Sequence, residues 1–221
     1  MKKYIIIGAG PYLHSIIDII HANDGEAVRL YQNMPEVKRD RVPSLAEQID
    51  KLGRPIEVFD SLKDFRPEKD FEYILGCITP LKYKLVDDLK KDYNINIATL
   101  CHPHACIGSN VRLGEGVLIG PGCVVGPDTV LEDFCVLNRS VSIGHDVSLG
   151  RFSRLAPSVT LGGFTKIGEY CSIGMGATIF DRVHIGDWSV IGAGSLVTKD
   201  VPESVLAYGA PAKVIRENNE R

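Results

Sequence analysis

The stretch VSIGHDVSLGRFSRLAPS, residues 141–158, brings together three side chains with chemistry to offer: His145, Asp146 and Arg154. An imidazole with an ordinary pKa of about 6.5 can accept a proton at cellular pH and return it. A carboxylate beside it can orient the ring and stabilise the imidazolium that forms. Arg154 stays protonated at neutral pH and so cannot act as a base, but its fork of N–H groups can bind a carboxylate or phosphate. The same stretch keeps a six-residue beat, Ile143, Leu149, Leu155, on which a His-Asp pair also reads as two polar residues at a solvated corner.

That beat belongs to a long array. From residue 105 the chain divides into sixteen hexads, ACIGSN through SLVTKD, with an aliphatic residue always in the third place, from Ile107 to Val197. The fourth place is glycine in eleven of the sixteen, and the first place is small or β-branched. Such a period predicts a parallel β-helix of triangular cross-section, one short strand per hexad and three hexads per coil. The third-place residue points inward, and the glycine is expected to let the backbone turn a tight corner where a side chain would clash. Coils stack at roughly the 4.8 Å inter-strand spacing. The aliphatic column is structural and carries no chemistry.

Residues 1–100 follow a different pattern. KKYIIIG, AVRLY and FEYILGC read as strands, YLHSIIDIIHAN and PLKYKLVDDLKKDY as helices, the second with Pro80 at its start. VPSLAEQIDKLG looks helical and PIEVFD is a further short strand. Strands alternating with helices predict a small parallel sheet of doubly wound, Rossmann-like type. The expected organisation is therefore an α/β domain over 1–100, a β-helix over 101–200 and a C-terminal tail over 201–221 that leaves the prism.

Composition narrows the partners. A formal charge of −3, 44% apolar and 24% charged residues are ordinary for a soluble globular chain, and no basic run points to nucleic acid. No apolar run reaches membrane-spanning length. The start MKKYIIIGAGPYLHSIIDII is interrupted by Gly8, Gly10, Pro11, His14 and Asp18 and lacks a small-residue cleavage site, against a signal peptide. Cys123, Cys135 and Cys171 share one phase of the repeat, and no CxxC occurs among the six cysteines. Buried free thiols in a reducing compartment follow, hence a cytoplasmic protein. Gly8-x-Gly10 has Leu13 in the third glycine place of a dinucleotide fingerprint, and RLYQN ends in Gln32 and Asn33 rather than an acid, which argues against a nicotinamide cofactor.

The hexads and the ending IGAGSLVTKDVPESVLAYGAPAKVI resemble the left-handed β-helix of the hexapeptide acyltransferases. With the N-terminal domain and the junction TLCHPHACIGSNVRLGEG, the whole chain is similar to bacterial sugar acetyltransferases of the NeuD/PglD type, which acetylate amino sugars on nucleotide carriers or hydroxyls of nonulosonic acids in surface-glycan synthesis. The resemblance implies acetyl-CoA as co-substrate, a sugar or nucleotide-sugar acceptor and a homotrimer with clefts between prisms. On VLNRSVSIGHD it places the general base at His145, its carboxylate at Asp146 and an asparagine at Asn138. It also implies a backbone amide at Gly163 as donor to the developing oxyanion. Ladder arithmetic agrees: Gly163 lies eighteen residues, one coil, above His145, leaving a bare backbone position overhead, with Pro127 below His145 and Asp128 below Asp146.

Coenzyme A is expected along the C-terminal coils, with Gly174, Gly176, Gly192 and Ala193 at the pantetheine arm and Lys199 and Lys213 at nucleotide phosphates. Arg154 stands where the family often has a second histidine. Being half a coil from His145, it can share a site with it only between subunits, and there it would meet an anionic substrate or a coenzyme A phosphate. A nucleotide-sugar pocket is expected at Gly8, Ala9 and Gly10 with Gly76, Cys77 and Thr79, although Pro11-Tyr12 replaces the family's Gly-Gly-His turn. Two other readings remain at this stage. One is a trimeric sugar-binding scaffold that has lost turnover. The other is a β-helix carbonic anhydrase, disfavoured because only His145 and His184 lie within the repeats and no metal site is predicted.

Overall fold

The computed structural model describes residues 1–33 and 44–219. By their contacts the chain divides into two compact units, Met1–Ile78 with Lys84–Ala98, and Thr79–Tyr83 with Thr99–Arg221.

The first unit is a four-stranded parallel sheet in the order β3-β2-β1-β4. Its strands are β1 (Lys2–Ile7), β2 (Gly25–Tyr31), β3 (Glu57–Phe59) and β4 (Glu72–Leu75). The run Ile5-Ile6-Ile7 is fully buried, as a continuous apolar stretch must be in a sheet covered on both faces. Helix α1 (Leu13–Ala22) follows β1 and buries Leu13, Ile16, Ile17, Ile19 and Ile20, one stripe at helical spacing. Helix α2 (Leu45–Lys51) starts with a capping box between Ser44 and Glu47. Val42 and Pro43, the start of the helix read from the sequence, lie outside the described residues. The Pro80 segment opens as a 3₁₀ turn, Pro80–Lys82, before α3 (Tyr83–Tyr93).

The second unit is the left-handed prism. Two-residue strands stack in parallel at an eighteen-residue step, as in Val124↔Ser142↔Thr160↔Thr178, to build three flat faces. The third-place column is buried from Ile119 to Val197, whereas Ile107 and Leu113, in the lowest coil, are partly exposed. From Val117 upward the first-place side chains are buried as well, and the polar ones are satisfied by corner carbonyls. Ser153 Oγ donates to Gly168 O at 2.7 Å, Ser189 Oγ to Pro202 O at 2.7 Å, and the Cys171 thiol to Gly186 O at 3.1 Å. Small polar residues therefore fit this place alongside the valines, because a carbonyl is within reach of each donor. Burial pushes the Cys171 thiol pKa up to about 12, and that of Cys135 also far up.

The fourth-place glycine stands where a side chain would clash, as expected, and the left-handed residue of each corner is a different one. Left-handed backbone falls at the sixth place, not at the fourth-place glycine: of the fifteen hexads from 105 to 194, four have glycine there (Gly116, Gly122, Gly176, Gly194) and eleven bear a side chain, Asp146, Phe164 and Arg182 among them. What the fourth place requires is closeness: a Cβ on Gly150 would lie 2.6 Å from the Gly168 carbonyl carbon of the next coil. The sixth-place strain, about 1–2 kcal/mol per residue, is held by a hydrogen bond to the coil below. Asp146 N–H donates to Pro127 O at 3.0 Å and Phe164 N–H to His145 O at 3.0 Å.

One corner is lined by stacked aromatics at the sixth place. Phe134, Phe152, Tyr170 and Trp188 have successive centroid separations of 4.8, 5.3 and 4.2 Å, and Tyr83 meets the last three edge-on. The tail also departs from expectation. Val205–Gly209 extends the face that contains Val190–Ile191, and Ala212–Glu217 folds back on it antiparallel, so these residues prolong the sheet.

Candidate active site

The corner between Ser142–Ile143 and Ser148–Leu149 presents His145 and Asp146 to solvent, their side chains about half exposed. His145 Nδ1 lies 2.8 Å from Asp146 Oδ2, which leaves Nε2 free to exchange a proton outward. The left-handed conformation of Asp146, φ 55°, is part of the turn that carries its carboxylate beside the ring. Overhead stands Gly163: a Cβ built there would lie 2.9 Å from His145 Nε2 and 3.1 Å from Cε1. The imidazole thus lies directly against the one main-chain stretch at this corner whose fifth-place residue has no side chain. Phe164 packs edge-to-face on the ring, centroids 5.0 Å apart at 87°, and the Arg182 guanidinium lies 5.2 Å from the Phe164 centroid.

Among the described residues no hydrogen bond occupies the Gly163 N–H, although its carbonyl accepts from Arg182 N–H at 2.9 Å. An unengaged main-chain donor next to a half-exposed imidazole–carboxylate pair is what a reaction developing negative charge on oxygen requires.

The other residues singled out from the sequence lie elsewhere. Gly174, Gly176, Gly192 and Ala193 share the next corner, with Gly174 packed under the Ala193 N–H and Gly192 under Tyr208. Asn138 belongs to that same corner column, one hexad before His145. It is buried, its Oδ1 accepting from Arg139 N–H at 2.8 Å, and does not meet the imidazole within the chain. Arg154 lies half-buried on the face leading into that corner, its Nε donating to Ser172 Oγ at 3.0 Å, and burial lowers its pKa. Lys199 is exposed at the fifth place of the His145 corner, three coils higher, and Lys213 is exposed in the tail hairpin. In the first unit, Gly8 (φ 81°) and Gly76 touch so closely that a Cβ on Gly76 would fall 2.0 Å from Gly8 O. Ala9, Gly10 and Cys77 adjoin them; Thr79 is exposed and caps the 3₁₀ turn through its Oγ1. Phe164, Asp181 and Arg182 were not anticipated; their signal is the eighteen-residue step upward from Asp146 and His145.

Among the described residues no group of three histidine, cysteine or acidic side chains could hold a metal, and no helix is long and apolar enough to cross a membrane.

Residues 164–199 match the family model described as bacterial transferase hexapeptide (six repeats). PerB from Caulobacter crescentus, solved with CoA and GDP-perosamine, is similar over 98% of both chains at 26% identity and a TM-score of 0.80. The acetyltransferase domain of PglB from Neisseria gonorrhoeae covers 97% of this chain and all of its own at 22% identity and a TM-score of 0.82. WeeI from Acinetobacter baumannii gives 97%, 100%, 21% and 0.78 for the same quantities. No curated protein sequence matches the chain.

Fold and repeat together define a hexapeptide-repeat acyltransferase built on a left-handed β-helix. With its N-terminal α/β unit, the chain resembles the sugar acetyltransferases of the NeuD/PglD type along its whole length.

Proposed function

We propose that the protein transfers an acetyl group from acetyl-CoA to an amino or hydroxyl group of a nucleotide-activated bacterial sugar destined for a surface glycan. The observation that carries this reading is the His145–Asp146 pair beneath Gly163, in a chain similar end to end to PerB, a protein solved with CoA and GDP-perosamine. In this mechanism Asp146 holds His145 through Nδ1–H, so Nε2 is the basic nitrogen. Nε2 takes the proton from the acceptor amine or hydroxyl as that atom attacks the thioester carbonyl. The Gly163 N–H donates to the oxygen of the tetrahedral intermediate, and collapse expels the coenzyme A thiolate.

Gly174, Gly176, Gly192 and Ala193 would follow the pantetheine arm, and Lys199 and Lys213 the nucleotide phosphates. Asn138 and Arg154, on or beside a different corner from His145, would complete the site from a neighbouring subunit of a homotrimer. The turns at Gly8–Gly10 and Gly76–Thr79 would take the nucleotide sugar. Free thiols and a need for acetyl-CoA and sugar nucleotides support a cytoplasmic location.

The test is thiol release from acetyl-CoA with GDP- and UDP-linked 4-amino sugars, then nonulosonic acids, each compared with His145→Ala. Acceptor-dependent release that falls by roughly 10²–10⁴ in the variant supports the reading. Release by His145→Ala at the parent's rate removes the assigned base.

A further inference from the structure

The Gly163 N–H stays open although an aspartate stands one coil above it, and two neighbouring residues account for that. Three hexads carry aspartate in the fifth place: Asp133, Asp181 and Asp187. Two of them reach down eighteen residues and cap a main-chain donor. Asp133 Oδ1 accepts from Glu115 N–H at 2.8 Å, and Asp187 Oδ1 accepts from Glu169 N–H at 2.9 Å. In both, the carboxylate leans over the fourth-place glycine, so that a Cβ on Gly114 or Gly168 would fall 2.4 or 2.2 Å from Oδ1. Asp181 stands at the same step above Gly163, yet its Oδ2 accepts from Arg182 Nη1 at 2.9 Å. A Cβ on Gly162 would meet the Asp181 main chain and not its carboxylate.

The sixth-place neighbour makes the difference. It is Phe134 after Asp133 and Trp188 after Asp187, rings held in the aromatic stack and making no hydrogen bond to the carboxylate. After Asp181 it is Arg182, whose guanidinium is further held over Phe164. We propose that Arg182 is a positioning residue that keeps the Asp181 carboxylate off the Gly163 N–H, so that this donor stays open for the oxyanion. The arrangement has two effects on the reaction. It prevents an intramolecular acceptor from occupying the donor, and it neutralises a negative charge that would oppose the developing oxyanion. This inference rests on the acetyl-transfer reading above for the role of Gly163, while the arrangement of Asp181 and Arg182 can be read without turnover.

The test compares Arg182→Gly, tolerated by the left-handed backbone (φ 60°), with Arg182→Gly/Asp181→Ala, in kinetics and in amide exchange by NMR. Both partners are largely exposed, so the expected loss is moderate: kcat falls about three- to tenfold in Arg182→Gly with KM little changed. The double variant returns to within about twofold of the parent, since no carboxylate remains to occupy the donor. Exchange of the Gly163 amide is fast in the parent, slows in Arg182→Gly and is fast again in the double variant. Parent-like kcat and exchange in Arg182→Gly, or a double variant as slow as the single one, overturn the proposal. Full activity in His145→Ala marks the separate failure of the acetyl-transfer reading, and the catalytic role given to the open donor falls with it.

Discussion

Gly162 and Gly163 are adjacent, and replacing each by alanine is expected to damage different properties. At Gly163 the new methyl would lie 2.9 Å from His145 Nε2 and no nearer than 3.4 Å to any main-chain atom beyond its chain neighbours, so the imidazole must move by about 0.5 Å to restore ordinary contact at 3.4 Å. Its side chain is 55% exposed and can swing away at little cost to the fold, but it then leaves its 2.8 Å contact with Asp146 and the space over the donor. Misplacement on that scale at a general base corresponds to about a 10²-fold loss of kcat. Gly163 has no left-handed φ, so alanine fits the backbone and the melting temperature should move by no more than about 3 °C in either direction. At Gly162 the methyl would lie 2.4 Å from Asp181 N and 2.8 Å from its Cα, the main chain of the next coil. Overpacking a rigid stack costs about 1–3 kcal/mol, hence a fall of about 3–10 °C. The assay pairs thiol release from acetyl-CoA with thermal unfolding for both variants. If Gly163→Ala keeps more than a third of the parental kcat, or loses as much stability as Gly162→Ala, the assignment of the corner is wrong.

Asp146→Asn preserves the hydrogen-bonding shape at a position where asparagine tolerates the left-handed backbone, so its loss of kcat, at least about tenfold, isolates the carboxylate charge and is read in the same assay. The raised thiol pKa of Cys171 has a definite sign for stability. The folded state keeps the proton that the unfolded chain loses near the ordinary value of 9.0, so stability is constant below pH 9 and falls as pH rises toward about 12. One such group accounts for up to about 4 kcal/mol, and chemical denaturation at pH 7.5 and 10.5 should show the decline, which Cys171→Ser should reduce. Trp188 is the single tryptophan and stacks 4.2 Å from Tyr170, so its fluorescence should report melting of the prism corner. Tyr170→Ala should lower that transition by about 4–8 °C, since it removes stacking on both Phe152 and Trp188, pairs worth about 1 kcal/mol each.

The prism was legible because its pattern is redundant. An inward aliphatic at the third place of every hexad and a glycine after it in eleven of the sixteen specify period, strand length and coil, and from Ile119 to Val197 the column is buried as read. The fourth-place glycine was legible as a point of clash, whereas the left-handed residue of the turn was not. Glycine is the usual sign of left-handed backbone, yet here Asp146, Phe164, Arg182 and Trp188 adopt it, because the coil below supplies a carbonyl to each sixth-place N–H. Glycine is reserved for the place where the next coil's main chain comes within contact. The tail was read as leaving the prism because its hexad pattern stops at Asp200, but pairing to Val190–Ile191 needs only main-chain groups, which no pattern of side chains announces.

At the corner, ladder arithmetic from the eighteen-residue step placed Gly163 over His145, since the step is fixed by main-chain hydrogen bonds and does not depend on side-chain rotamers. What it could not give was the direction of Asp181, which depends on whether its neighbour is aromatic or cationic. The sequence nevertheless holds a sharper mark of this corner than its His-Asp pair. Of the sixteen fifth-place residues, from Ser109 to Lys199, Gly163 is the only glycine. Every other corner offers a side chain in that place, and glycine is not needed there for φ or for contact with the next coil's main chain. The one neighbour a Cβ would disturb is the His145 imidazole, so the absence of a side chain at Gly163 is explained by the space it leaves for that ring and for whatever approaches its Nε2.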